Sequence, residues 1–251
     1  MLKAYFKALY ERTMREAYGR ALDEIAASVK DGGIVLDCGA NQGRMFRVLN
    51  ERSGLPLDRY AGVEWNADAV EAAQADGLHV VRGDLNKGIP LGDGEFRCVF
   101  GLSLLEHLLN GCRFLRECRR VLEPGGTLVL LTPNISTYFT AALILAGRMP
   151  SSGPHPDSNE LIKREEIFKV SSEALQMDAE DDTPLHRHLV VFSYRVLRDY
   201  LAMIGFRDIR GYGYGLYPFP NFMQPVLERI DPCHCHQMVF VARKQAGGIS
   251  R

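Results

Sequence analysis

Apolar and polar positions along the chain change period several times, and each change marks an element. Leu22, Ile25, Ala26 and Val29 recur at i, i+3, i+4 and i+7, one face of a helix, which Asp31-Gly32-Gly33 ends. Segment 1–32 is therefore read as helical. The short apolar run Ile34 to Asp37 fits a strand buried on both faces. Gly39 to Gly43 reads as a loop, Arg44 to Arg52 as a helix and Tyr60 to Trp65 as a second strand. Asn66 or Asp68 can cap a helix running to about Asp76. His79 to Arg82 makes a third strand, closing near Asp84, and Phe96 to Leu102 a fourth. Leu108, Cys112, Leu115 and Leu122 share the face of a further helix, before Glu123-Pro124-Gly125-Gly126 turns the chain into a fifth strand, Thr127 to Leu131.

Strands alternating with helices predict an α/β domain, a mostly parallel sheet with helices on both faces. After Pro133 the alternation lapses for about sixty residues. That interval holds an apolar helix candidate, Tyr138 to Ala146, a Pro/Ser/Gly/His loop, Pro150 to Asp157, and a charged stretch through Asp182. The pattern resumes with the stripe Val196, Leu197, Tyr200, Leu201 and Ile204, stopped by Gly205. A strand from Phe206 to Gly211, an aromatic, Gly- and Pro-rich loop over 212–234 and a last strand from Met238 to Ala242 follow. The chain thus returns to complete one sheet. Residues 1–251 read as a single domain in which 135–190 is an inserted lid that helps bind the acceptor.

Apolar residues make up 46% and charged residues 24%, which excludes a disordered, collagen-like or coiled-coil chain. Lys and Arg number 30 against 31 for Asp and Glu, so no net pull toward nucleic acid or anionic lipid is expected. Six cysteines without a Cys-x-x-Cys pair, and a first segment without the apolar core of a signal peptide, predict free thiols in a cytoplasmic setting. Thr127 to Gly147 carries no charge and is long enough to span a bilayer, which takes roughly 20 residues. Pro133, Asn134, Ser136 and Thr137 divide it, so a buried strand and a short helix are expected there instead.

A strand, a glycine-bearing turn and a helix gather backbone N–H groups at the carboxyl end of the strand, where a nucleotide-like ligand fits. The turn here is Asp37-Cys38-Gly39-Ala40-Asn41-Gln42-Gly43. Glu64 ends the second strand, where a carboxylate can accept both ribose hydroxyls. A dinucleotide site shares that acid, but its glycines are spaced Gly-x-Gly-x-x-Gly. Here the spacing is Gly-x-x-x-Gly, and Asp37 would repel a pyrophosphate. Asp84 could accept from an exocyclic amine. Three carboxylates suit a cationic nucleoside better than a diphosphate.

VLDCGANQG, GVEWN, GDL, LLEHL and VLEPGGTLVLLTPN resemble, in order and spacing, the motifs of class I S-adenosylmethionine-dependent methyltransferases, over about Gly33 to Asn134. The later HRHLVVFSYRVLRDYLAMIGF and MVFVARK look like that family's closing elements. The resemblance implies a Rossmann-like, seven-stranded sheet whose last strand is antiparallel. It implies S-adenosylmethionine as cofactor and S-adenosylhomocysteine as product. By position, Gly39 and Gly43 would let the backbone approach the methionine part and Asp37 would orient its amino group. Glu64 would hold the ribose with Trp65 beside the adenine, Asp84 and Leu85 would read the adenine edge, and Leu102 would lie under the sulfonium. Asn41 stands where the family's middle glycine is common, and Asn tolerates left-handed backbone angles. Arg97 replaces an acid often found there, which bears on packing.

His107, at the top of the fourth strand, and His188, before the helix that follows the lid, are the catalytic candidates; either could take a proton from a hydroxyl acceptor. The expected acceptor is a small molecule, a lipid precursor or a glycan, with O-methylation favoured. Contact with a membrane surface is open through Phe139 to Leu145, and the base-methylation signature Asn-Pro-Pro-Tyr is absent. No metal is expected; Cys233-His234-Cys235-His236 reads as the polar start of the last strand. The other classes are a nicotinamide-dependent oxidoreductase and a catalytically silent cofactor-binding scaffold. The sequence does not fix an oligomeric state.

Overall fold

The computed structural model describes residues 2–150, 152–165 and 187–246. Seven strands form one sheet: β1 Val35–Cys38, β2 Tyr60–Glu64, β3 His79–Arg82, β4 Phe96–Leu102, β5 Leu122–Pro133, β6 Phe206–Tyr214 and β7 Gln237–Lys244. Their spatial order is β3-β2-β1-β4-β5-β7-β6. The first five run parallel, and β7 lies antiparallel to both β5 and β6. The helices are α1 Leu2–Ser28, α2 Arg44–Ser53, α3 Ala67–Ala75, α4 Gly111–Val121, α5 Tyr138–Leu145, α6 Asn159–Glu165, α7 Tyr194–Met203 and α8 Gln224–Ile230.

The central strands are apolar and β-branched on both faces because helices cover both. On one face Leu36, Val99, Leu128, Leu130 and Phe240 pack with Phe114, Leu115 and Cys118 of α4 and Leu197 and Leu201 of α7. On the other, Val35, Phe100, Val129 and Val241 pack with Ala17, Ala21, Ile25 and Val29 on or just past α1, and with Leu49 of α2. Asn66 caps α3 by accepting from Ala69 N at 3.1 Å. Gly205, at φ +94°, stops α7.

Three expectations need correction. The region 212–234 is not a loop throughout, since β6 runs on to Tyr214 and α8 fills 224–230. Gln224 builds that turn: its side chain accepts from Leu216 N and donates to Leu216 O and Phe219 O, contacts that local pattern does not reveal. β5 starts at Leu122, because Phe96 pairs Leu122 and Cys98 pairs Thr127, which carries the Glu123-Gly126 turn as an irregularity inside the strand. Val196 is 57% exposed although it falls on the apolar stripe of α7. Of the lid interval, α5, α6 and the return at 187–190 are described. The acidic run Asp178 to Asp182 and His186 lie outside the described residues. No helix among the described residues is long and apolar enough to cross a membrane.

Candidate active site

The carboxyl ends of β1 to β4 meet along one edge, at the crevice where the strand order reverses between β1 and β4. The turn after β1 follows the edge closely. Gly39, Asn41 and Gly43 all have left-handed backbones, at φ +80°, +48° and +75°. Asn41 thus takes the angle expected of it, and its Oδ1 accepts from Gln42 N at 2.8 Å. Gly39 N and Ala40 N donate to Val63 O, tying the turn to β2. At Gly43 the left-handed backbone favours glycine, and a Cβ there would also press on the tip of Leu78, Cδ1 at 2.0 Å.

The three acids sit in different surroundings. Asp37 is buried, and its Oδ2 accepts from the Tyr60 hydroxyl at 2.6 Å. Burial pushes its carboxyl up to about 7; the Tyr60 bond opposes the shift and the Glu64 charge adds to it. The Glu64 carboxylate, also buried, accepts from Asn41 N at 2.9 Å, Trp65 N at 2.8 Å and Asn66 N at 2.9 Å. A carboxylate has about four acceptor positions. One is taken by the turn at Asn41 N, two by the amides just past β2, and one is left open. Asp84 is more open. Burial acts to raise its pKa, but the Asn86 amide at 3.0 Å and the Lys87 ammonium at 3.4 Å hold it below the usual carboxylate range. Leu85 is buried behind Asp84, Trp65 is 71% exposed beside the crevice, and Leu102 is half-buried at the end of β4. A buried carboxyl beside a left-handed turn, with a second buried carboxylate and an exposed aromatic along the same edge, has the chemistry to receive a ligand carrying an ammonium, vicinal hydroxyls and a flat ring.

A second group of side chains meets just past β4. Glu106 is buried, and its Oε2 accepts from the Thr132 hydroxyl at 2.9 Å. Burial lifts its carboxyl to about 7, with its backbone and Thr132 bonds opposing. The backbone carbonyl of Glu106 takes the N–H groups of Leu189 (2.7 Å) and Val190 (3.3 Å), so the segment leading into α7 is tied to this point. His107 and His188, the two residues the sequence proposes, are thereby brought together, with ring centroids 5.2 Å apart. His107 Nδ1 lies 3.0 Å from Arg187 O, and His188 Nδ1 lies 2.6 Å from Ser152 O. His155 stacks on His188 at 4.7 Å, and burial pushes the His188 imidazole down to about 4. One ligand atom from each of Glu106, His107 and His188 falls within 4.8 Å of the other two.

Sequence reasoning misses several neighbours. Tyr18 of α1 donates to Ser103 Oγ at 3.1 Å, and Tyr10 sits 6.3 Å from the His236 ring. His236 stacks on Tyr217 at 5.0 Å. A signal for Tyr18 exists, since it continues the stripe of Leu22, Ile25 and Val29. Nothing local marks His236. The Cys233–His236 run does not converge: His234 pairs with Asp231 and stacks on Tyr138, Cys235 is buried, and His236 turns toward Tyr217.

Residues 10–210 match the family described as "Methyltransferase domain". With this sheet order and crevice, the fold is that of class I S-adenosylmethionine-dependent methyltransferases. The chain belongs to the methyltransferase domain family. It is 32% identical over 111 residues to a probable S-adenosylmethionine-dependent methyltransferase of Mycolicibacterium smegmatis, over 43% of this chain and 40% of that one. The chain spans well under half the length of the curated relatives it matches above 30% identity. A weaker likeness, 25% over 202 residues, covers 72% of this chain and 73% of the ubiquinone biosynthesis O-methyltransferase of Sodalis glossinidius. Among solved structures, the putative methyltransferase of Haloferax volcanii, held in complex with its Trm112 activator, superposes at a TM-score of 0.58. It has 16% identity and covers 98% of this chain and 96% of that one.

Proposed function

We propose that the protein moves the methyl group of S-adenosylmethionine to a hydroxyl on a small-molecule, lipid-precursor or glycan acceptor, leaving S-adenosylhomocysteine. The observation that carries this reading is the meeting of Glu106, His107 and His188 beside the β1–β4 crevice. The cofactor, when bound, supplies an electrophilic methyl on a sulfonium. The chain's own part is alignment, exclusion of water and handling of the acceptor's proton. Asp37, Gly39, Asn41 and Gly43 would hold the methionine end, Glu64 the ribose, and Trp65, Asp84 and Leu85 the adenine, with Leu102 on the sulfonium side. His107 and His188 would receive the acceptor hydroxyl, with Tyr10 and Tyr18 near Glu106 and His236 near His188.

A hydroxyl is favoured because an amine at neutral pH needs less help than two histidines and a carboxylate would give. The relative named as a ubiquinone biosynthesis O-methyltransferase agrees with it. Tyr138, Ile144 and Leu145 (89% exposed) on α5, with Phe222 just before α8 and Ile230 at its end, leave apolar side chains exposed, which supports a lipid-precursor acceptor and contact with a membrane surface. The Tyr138 hydroxyl donates to Asp231 at 2.6 Å and so ties the start of α5 to the end of α8. The near-neutral net charge of -1 does not favour nucleic acid.

The test is a screen of hydroxylated acceptors with S-adenosylmethionine, read by mass spectrometry as the gain of one methyl. His107→Ala and His188→Ala should each cut transfer about 10²–10⁴-fold while S-adenosylhomocysteine affinity stays within a few-fold. Transfer at the parent rate in both variants would refute the catalytic assignment.

A further inference from the structure

We infer that Glu106, His107 and His188 bind a divalent transition cation, through which the two histidines act on the acceptor hydroxyl. One carboxylate oxygen and one nitrogen from each ring already lie within 4.8 Å of one another. Donors about 2.1 Å from a common ion stand roughly 3–4 Å apart, so small side-chain rotations complete the site.

The surroundings of each donor match what a ligand needs. The His188 Nδ1 is 2.6 Å from Ser152 O, and the His107 Nδ1 is 3.0 Å from Arg187 O. A carbonyl can only accept, so each Nδ1 carries the proton and each Nε2 carries the lone pair. A backbone carbonyl on the outer nitrogen is also the usual device that fixes the tautomer and orientation of a ligating imidazole. Glu106 is held by the Thr132 hydroxyl, and its own carbonyl binds Leu189 and Val190, the residues directly after His188. The three donors therefore come from two segments locked to each other by backbone bonds.

Two imidazoles and a carboxylate suit zinc, manganese or ferrous iron rather than calcium or magnesium, which take oxygen donors. Three protein ligands leave positions open, as in catalytic rather than structural sites. An acceptor oxygen in an open position loses its proton more readily. The balance is simple: the hydroxyl proton passes to solvent, the oxygen forms a bond to the methyl carbon, and the C–S electron pair returns to sulfur. No oxidant or reductant is involved. This catalytic use rests on the hydroxyl-acceptor reading; binding of the cation does not.

The experiment is calorimetry of chelator-treated full-length chain with Zn²⁺ and with Mn²⁺. The expected result is one ion per chain for at least one of them. Glu106→Gln and His188→Ala should each weaken it about a hundredfold or more. His79→Ala, at the opposite edge of the sheet, should leave it unchanged, and retained S-adenosylhomocysteine binding certifies that each variant is folded. Absence of uptake of either ion, or uptake that survives both substitutions, overturns the site. Methyl transfer at full rate by ion-free protein would remove the cation from catalysis while leaving the hydroxyl reading in place. Uptake that depends on both Glu106 and His188, with no hydroxyl acceptor methylated, would do the reverse.

Discussion

Asp37 carries opposing demands. Its carboxyl is buried with the Tyr60 hydroxyl 2.6 Å away, and burial lifts its pKa to about 7. An ammonium seated beside it favours the ionised form. Cofactor binding below pH 7 should therefore release a proton, and affinity should rise with pH by up to about tenfold per unit before levelling above 7. Calorimetry of S-adenosylhomocysteine at pH 6, 7 and 8, in buffers of different ionisation heat, reads both effects. Flat affinity with no proton release would show that Asp37 does not meet the ammonium. Stability has its own sign. Between the unfolded value, about 3.9, and the folded value the native state binds more protons than the unfolded chain, so this group's contribution falls as pH rises across that window. Asp37→Asn should thus raise the melting temperature more at pH 8 than at pH 5. The Asn oxygen can still accept from Tyr60.

At the scale of elements, α1 and α8 are joined by a buried ion pair. Arg12 Nη1 lies 2.8 Å from Glu228 Oε1, with both side chains under 10% exposed, and Glu228 also accepts from Gly215 N at 2.7 Å. Removing Glu228 leaves buried Arg12 only the more exposed Glu16, 2.6 Å from its Nη2, and leaves Gly215 N without its acceptor, at a cost of up to about 3–5 kcal/mol. Glu228→Ala should lower the melting temperature by roughly 10 °C, and the double variant Arg12→Met, Glu228→Leu should recover part of that loss. A single variant within about 1 kcal/mol of the parent would show the pair to be ornamental. The same pair explains where sequence reading stopped. β3 and β4 were legible to the residue because each is an apolar run closed by polar turn residues. The turn after β1 was legible because Asp37 stands near the end of a short apolar strand and two glycines follow it. α8 was not, because PNFMQPVLERI has no clean stripe and its order comes from Gln224 and Glu228 reaching residues outside the helix. Likewise the pairing of His107 with His188 is tertiary: the 80-residue gap between His107 and Arg187 is closed by Glu106 binding the returning chain, and the letters at either end do not encode it.

Across the whole molecule, the sheet sets the order of the crevice and the long-range ties decide what can fill it. The parallel strands bring Asp37, Glu64 and Asp84 to one edge, and that edge alone would serve a nicotinamide cofactor nearly as well. The turn argues against the latter: its glycines are spaced Gly-x-x-x-Gly rather than Gly-x-Gly-x-x-Gly, and the buried carboxyl of Asp37 stands directly before it, where it would repel a pyrophosphate. Fold alone does not decide activity, so the discrimination belongs to binding. A ligand at about 100 times its dissociation constant adds about 2.7 kcal/mol, a melting shift of roughly 5–10 °C for a chain of this size. S-adenosylhomocysteine should produce that shift, and NADH at equal concentration should not. If NADH alone shifts the transition, the crevice serves hydride chemistry and the roles given to Asp37 and Asp84 fall with the methyl-transfer reading. If S-adenosylhomocysteine shifts it in the parent but not in Asp84→Ala, the adenine contact is located as well as the cofactor.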